Sequence, residues 1–142
     1  MSKVSNILAR KGDNVISVAP DSTVYEALKV MNERNIGSVA VLEKGKYVGL
    51  LTERDYARKV IVQGRHSDDT TVKDIMSTDL PPITKSHTVE ECMELMSANN
   101  IRYLPVIENN KMVGLISILD LVTETIKTQK ETIDHLKNYI SQ

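Results

Sequence analysis

The sequence predicts a mixed α/β fold of the α+β kind: two β-α-β-β-α repeats packed around a pseudo-twofold axis and finished by a long C-terminal helix. Three observations carry this. The chain repeats itself at an offset of 65 residues, because Thr23-Val-Tyr-Glu-Ala-Leu-Lys-Val-Met-Asn-Glu-Arg-Asn-Ile36 aligns without gaps on Thr88-Val-Glu-Glu-Cys-Met-Glu-Leu-Met-Ser-Ala-Asn-Asn-Ile101. Within each copy the hydrophobic period alternates between that of a strand and that of a helix. Beyond the second copy, Thr123 to Gln142 contains neither Pro nor Gly and continues as helix.

The elements follow in order. Val4-Ser-Asn-Ile-Leu8 is a short helical lead-in that returns as Val72-Lys-Asp-Ile-Met76 at an offset of 68. Val15-Ile-Ser-Val18 is a β-branched run closed by Ala-Pro, a first strand. Its counterpart Leu80-Pro-Pro-Ile-Thr84 holds two prolines, which suit an edge or irregular strand. Val24, Ala27, Leu28 and Met31, mirrored by Val89, Cys92, Met93 and Met96, recur at i, i+3, i+4 and i+7, one apolar face of a helix. Ser22 or Thr23, and Thr88, are suitable N-caps. Val39-Ala-Val-Leu42 and Tyr47-Val-Gly-Leu-Leu51 read as strands joined by Glu-Lys-Gly-Lys, a turn that Glu108-Asn-Asn-Lys111 repeats. A second helix starts at Thr52 or Ser117. The polar stretch Gln63 to Thr71 joins the copies, which places the first repeat with its lead-in at 1–64 and the second, with lead-in and C-terminal helix, at 65–142. Units of about sixty residues are marginal alone, so the two are expected to share one core as a tandem module.

Composition narrows the function classes. With 142 residues, 41% hydrophobic and 26% charged, the chain is an ordinary globular protein. Eighteen basic against nineteen acidic residues leave a net charge of −1, which argues against a broad footprint for nucleic acid or an anionic membrane. No stretch approaches the roughly 18 apolar residues of a membrane helix, and Met1-Ser-Lys-Val-Ser-Asn6 lacks the apolar core of a signal peptide, so a cytoplasmic address is expected. Cys92 is the single cysteine and is expected to be a small core residue. His66, His87 and His135 show no ligand spacing, so no metal site is expected. No Ser-His-Asp or Cys-His arrangement and no Walker-type loop can be assembled, which counts against an enzyme and against any catalytic cofactor.

The most specific motif is Gly49-Leu-Leu-Thr52-Glu-Arg-Asp55, repeated as Gly114-Leu-Ile-Ser117-Ile-Leu-Asp120. Two copies in register, within this strand and helix order, resemble the tandem cystathionine-beta-synthase (CBS) domain family from about Val4 to Val122. The run Thr52-Glu-Arg-Asp-Tyr-Ala-Arg-Lys59 is similar to that of stand-alone two-copy proteins of bacteria and plant organelles. The resemblance implies a regulatory, energy- or redox-sensing module that binds an adenosine-containing nucleotide (AMP, ATP or NAD) in the cleft between copies, and that associates as a homodimer.

The residue types suit that ligand. A carboxylate has only acceptor sites and can take both hydroxyl protons of a ribose, the role expected of Asp55 and Asp120. Thr52 and Ser117 lie where a strand hands over to a helix, so a phosphate there would meet a hydroxyl, unpaired N–H groups and the positive end of the helix. Gly49 and Gly114 permit close backbone approach just before that point. The family's adenine slot maps onto Ile36, Gly37, Ser38 and Val39, and onto Ile101, Arg102, Tyr103 and Leu104, opposite Ser17, Val18 and Ala19 or Ile83 and Thr84. Arg102 replaces Gly37, and Arg54 has no basic counterpart in the second copy, so two unequal sites are expected. Thr or Ser followed three residues later by Asp also fits a helix capping box, and that reading stands beside the ligand reading. Asp55 and Lys59 are spaced as an ordinary i, i+4 ion pair.

Leu119, Val122, Ile126, Ile133, Leu136 and Ile140 follow coiled-coil spacing with Gln129 as a polar interruption. Such a helix either folds back on its own domain or supports a homodimer. The competing functional reading is a ligand-independent adaptor that dimerises and docks on a partner enzyme or transporter.

Overall fold

In the computed structural model, which describes residues 2–141, the chain forms two compact units. One holds the residues up to Asp13, Pro81–Glu108 and the chain from Val113 onward; the other holds Asn14–Leu80 and Asn109–Met112. The units therefore do not divide at the boundary between the sequence repeats. The lead-in helix of the first repeat belongs to the unit of the second repeat.

The first-repeat unit starts with β1 (Ser17–Val18), α2 (Val24–Arg34), β2 (Ser38–Glu43) and β3 (Lys46–Thr52), where α1 denotes the lead-in helix Val4–Lys11. β1 pairs parallel with β2, Ser17 against Ala40, and β2 pairs antiparallel with β3, Ser38 against Thr52. The central strand is buried from Ser38 to Val41, as its unbroken apolar run requires. The hairpin turn places Lys44 and Gly45 at φ 52° and 80°, the left-handed pair that matches strand twist. Asn109 and Asn110 do the same at 50° and 65°, Asn being the residue after Gly that best tolerates this region. α3 (Glu53–Tyr56) continues into a wider π-type turn over Ala57–Ile61, and α4 (Val72–Ile75) follows the polar connection. Val24, Ala27 and Met31 of α2 pack with Val39, Val41, Leu51, Val60, Val72 and Ile75.

The second-repeat unit contains α5 (Val89–Asn99), β4 (Tyr103–Glu108), β5 (Lys111–Ser117) from Val113 onward, and α6 (Ile118–Ser141); β4 and β5 pair as a hairpin. The strand expected over Leu80–Thr84 is reduced to one parallel bridge, Ile83 against Val106. Pro81 and Pro82 have no N–H to give a ladder, so only Ile83 pairs, through Pro105 and Ile107 at 2.9 and 2.8 Å. Val4, Ile7 and Leu8 of α1 complete this unit's core with Cys92, Met96, Leu104, Val106, Ile116 and Leu121. Cys92 is fully buried, a core residue as expected, and that burial pushes its thiol up to about 11, with the charge of Glu91 adding to it.

The lead-ins dock by the same device in both units. The N–H groups of Val4 and Ser5 at the start of α1 donate to the carbonyls of His87 and Lys85, and Val89 N–H returns a bond to Ser2. In the first-repeat unit Val72 and Lys73 of α4 donate to Ser22 and Pro20, and Val24 N–H returns one to Thr70. Two helix starts thus satisfy each other's unpaired donors across a bridge, Lys3 with Thr88 in one unit and Thr23 with Thr71 in the other. Thr23 and Thr88 also cap their own helices, accepting from Glu26 and Glu91 N–H at 3.1 Å.

Glu124 ties α1 to α6 inside the second-repeat unit. It is 3% exposed, accepts the Ser2 hydroxyl at 2.7 Å, and pairs with Arg10 at 3.2 Å. The Ser2 hydrogen bond, then Arg10 and the charge of Lys127, hold its carboxyl below the usual range against the opposing effect of burial. A carboxyl lowered in the folded state stabilises above its unfolded value of about 4.3, and that contribution disappears as pH falls through the folded value. Glu124→Gln should therefore narrow the gap in urea midpoint between about pH 6 and pH 3.5 relative to the parent chain. Parallel pH profiles of the two proteins would refute the assignment.

Candidate functional site

The expected site residues gather at the same place in each unit, where the middle strand begins and the third strand hands over to a helix. In the first-repeat unit Ile36 and Gly37 precede β2, Ser38 and Val39 open it buried, and Thr52 closes β3. The Glu53 N–H donates to the Gly37 carbonyl at 3.1 Å, which fixes the junction. Ser17 and Val18 lie beside the strand in β1, and Ala19 follows them exposed. In the second-repeat unit Ile101 and Arg102 precede β4, Tyr103 and Leu104 open it, and the Ile118 N–H donates to the Arg102 carbonyl at 2.9 Å. Ile83 is buried alongside. Thr84 has its groups engaged locally: its N–H donates to His87 Nδ1 at 2.9 Å and its hydroxyl lies 2.9 Å from that of Ser86.

Asp55 is where the expectation meets a competing role. It is 6% exposed, and its Oδ2 accepts from the Thr52 N–H at 3.0 Å and the Thr52 hydroxyl at 3.1 Å. Its Oδ1 accepts from the Ser77 hydroxyl at 2.9 Å and pairs with Lys59 at 3.0 Å. A carboxylate has about four acceptor sites, so those of Asp55 are filled from within the unit. The Asp55 N–H bonds Thr52 Oγ1 at 3.0 Å, completing the capping box. Lys59 also donates to the Ile75 carbonyl at 2.9 Å, which makes it the structural residue its spacing implied.

Asp120 differs. Its Oδ2 accepts from the Ser117 N–H and pairs with Lys11, both at 2.8 Å, and both bonds end on that one oxygen. Its side chain is 17% exposed against 8% for Asp55. Lys11, from the last turn of α1, donates as well to the Leu115 carbonyl at 3.0 Å. An ammonium has three donors, so one is left over. Arg102 is exposed at the same junction, and Arg54 is exposed on α3.

Lys11 and Ser77 are the site neighbours that sequence reasoning missed. Each follows a lead-in segment, and the repeated lead-in was the one signal for them: what returns twice beside the motif is placed beside it. Glycine at 49 and 114 makes room for this same packing. A Cβ on Gly49 would lie 2.8 Å from Met76 Sδ and 2.9 Å from the Ser77 carbonyl, and one on Gly114 would lie 2.7 Å from Leu8 Cδ2.

The first-repeat unit also carries an open pocket of about 560 Å³, lined by Leu28, Met31, Asn35, Ile36, Gly37 and Glu53 among others. Of the expected residues only Ile36 and Gly37 reach it, and an acidic residue in its lining, Glu53, disfavours a phosphate. Among the described residues no group of three or more His, Cys, Asp or Glu is placed to hold a metal ion, and no helix is long and apolar enough to cross a membrane.

Comparison with known proteins agrees with this architecture. The family profile described as CBS domain matches residues 4–62 and again 72–127. The chain is 38% identical to the CBS domain-containing protein CBSX3, mitochondrial, of Arabidopsis thaliana, over 96% of this chain and 71% of that protein. It is 33% identical to the CBS domain-containing protein YhcV of Bacillus subtilis, over 91% and 89%. The solved structure of a putative signal-transduction protein with CBS domains from Burkholderia ambifaria is 40% identical, superposes with a TM-score of 0.86, and is covered to 96% by 90% of this chain. With the duplicated motif, the repeated strand and helix order and both matches in register, the chain belongs to the CBS domain family and carries two of its domains in tandem.

Proposed function

We propose that this protein is a non-catalytic regulatory module of the cytoplasm that binds an adenosine-containing nucleotide, AMP, ATP or NAD, and signals occupancy through the packing of a homodimer. The observation that carries the reading is the Asp120 junction. One carboxylate oxygen is held by Ser117 and Lys11, which aims the group, and the other is left for the ribose hydroxyls. The remaining donor of Lys11, the Ser117 hydroxyl and the exposed Arg102 supply the positive surroundings a phosphate needs. The saturated Asp55 makes the first-repeat junction the weaker of the two. Regulation requires that the ligand favour one packing state, since equal affinity for both shifts nothing.

The test is calorimetric titration with AMP, ADP, ATP, NAD and S-adenosylmethionine. One or two of these are expected to bind, and Asp120→Ala to weaken that affinity about tenfold to hundredfold, the effect of losing a charge-assisted hydrogen bond. Silence with all five, after confirming that no nucleotide co-purified, would sink the reading. A second reading, a ligand-independent adaptor docking on an enzyme or transporter, is favoured by Asp55 alone, whose acceptor sites serve the fold. Capture of a partner protein that is indifferent to added nucleotide would support it.

A further inference from the structure

α6 is 24 residues long, about 36 Å at the usual rise per residue. Its first half is anchored in the second-repeat unit, where Leu121 and Glu124 are buried and Thr128 is half-buried. From Gln129 to Ser141 every residue is exposed. The fold-back on its own domain, one of the two expected arrangements, is therefore not what this helix adopts. A lone helix of three or four turns is marginal in water, and this one holds Ile133, Leu136 and Ile140 at 51%, 54% and 80% exposure.

Together with Leu119, Val122 and Ile126, also exposed, and with Gln129 between Ile126 and Ile133, these residues form one row at alternating spacings of three and four. In heptad positions, Leu119, Ile126, Ile133 and Ile140 take a, while Val122, Gln129 and Leu136 take d. Lys130 and Lys137 fall at e; Thr125, Thr132 and Tyr139 fall at g.

We propose that this row is covered by α6 of a second copy of the chain, in a parallel, in-register, two-stranded coiled coil. The inference deepens the homodimer reading above and rests on it. Three features choose the occupant and its direction. Ile at three of four a positions, with Leu at the last d position, favours two strands. Parallel pairing sets Gln129 against Gln129 of the second copy, where each amide offers both a donor and an acceptor. Antiparallel pairing sets a against d, so Gln129 would face Ile126 or Ile133 and lose its partner. The flanks agree. In the parallel coil e meets g, so Lys130 and Lys137 face Thr125 and Thr132; in the antiparallel one e meets e, and Lys130 faces Lys137.

The test uses the full chain. Sedimentation equilibrium should find a dimer, and Ile126→Asp combined with Ile133→Asp should weaken self-association at least a hundredfold. Both positions are exposed, and unchanged hydrogen-exchange protection of β2 to β5 excludes misfolding as the cause, while some loss of helix signal from the second half of α6 is expected once its partner is gone. Direction is read by oxidising Ile126→Cys and Leu136→Cys variants. Parallel pairing cross-links each variant with itself, whereas antiparallel pairing cross-links only a mixture of the two, and that result overturns the proposal. A dimer that withstands the double aspartate variant also overturns it, while leaving the homodimer reading standing. A monomeric parent chain removes both.

Discussion

Asp55→Ala is expected to destabilise the first-repeat unit by about 2–3 kcal/mol, the sum of a lost helix cap and of the lost bond to Ser77. The carboxylate is nearly fully buried and accepts from the Thr52 N–H, the Thr52 hydroxyl and the Ser77 hydroxyl, besides pairing with Lys59. Removing it leaves the Thr52 N–H and the Ser77 hydroxyl without their acceptor in a part-buried place. Lys59 is 44% exposed and can turn to water, so its share of the loss is small. The contrast with Asp120→Ala is the informative part: that substitution also loses a cap bond and the pair with Lys11 but no second hydroxyl partner, so it should move the urea midpoint less and the nucleotide affinity more. If Asp55→Ala leaves the midpoint unchanged and abolishes nucleotide binding, the roles assigned to the two carboxylates are reversed.

Ile7→Ala is expected to cost about 2–5 kcal/mol, the range for emptying a buried aliphatic site. Ile7 has no exposed surface and packs with Ile83, Leu104 and Ile116, all outside its own sequence repeat. Hydrogen exchange should report where the loss falls, because local opening follows cooperative units. Amides of α5, β4 and β5 should exchange faster, with those of β2 and β3 much less affected. Acceleration confined to β2 and β3 would show that α1 serves the first repeat after all.

Much of the fold was legible because it is written locally. Thr23 and Thr88 stand before an apolar i, i+3, i+4, i+7 row, and a hydroxyl there has nothing better to accept than the N–H three residues on. Lys44-Gly45 and Asn109-Asn110 sit between two apolar runs where the chain must turn with positive φ. The candidate site was legible as a place and not as a set of bonds. Spacing alone allows Thr52 to Asp55 and Ser117 to Asp120 to be caps or ribose clamps, and it is silent on Ser77 and Lys11, which lie 22 and 109 residues from the carboxylates they contact.

The duplication, the order of elements in each copy, the helix starts, the hairpins and the family can all be read along the chain, since each rests on a short-range pattern that occurs twice. Three things depend on the folded structure. It put α1 with the second repeat, a choice that two equivalent lead-ins leave open because either offers the same apolar face and the same unpaired N–H groups. It filled every acceptor site of Asp55 while leaving one oxygen of Asp120, a difference made by side chains arriving from elements distant in sequence. It left the second half of α6 uncovered, because an apolar row records that a helix needs a partner and not where that partner comes from.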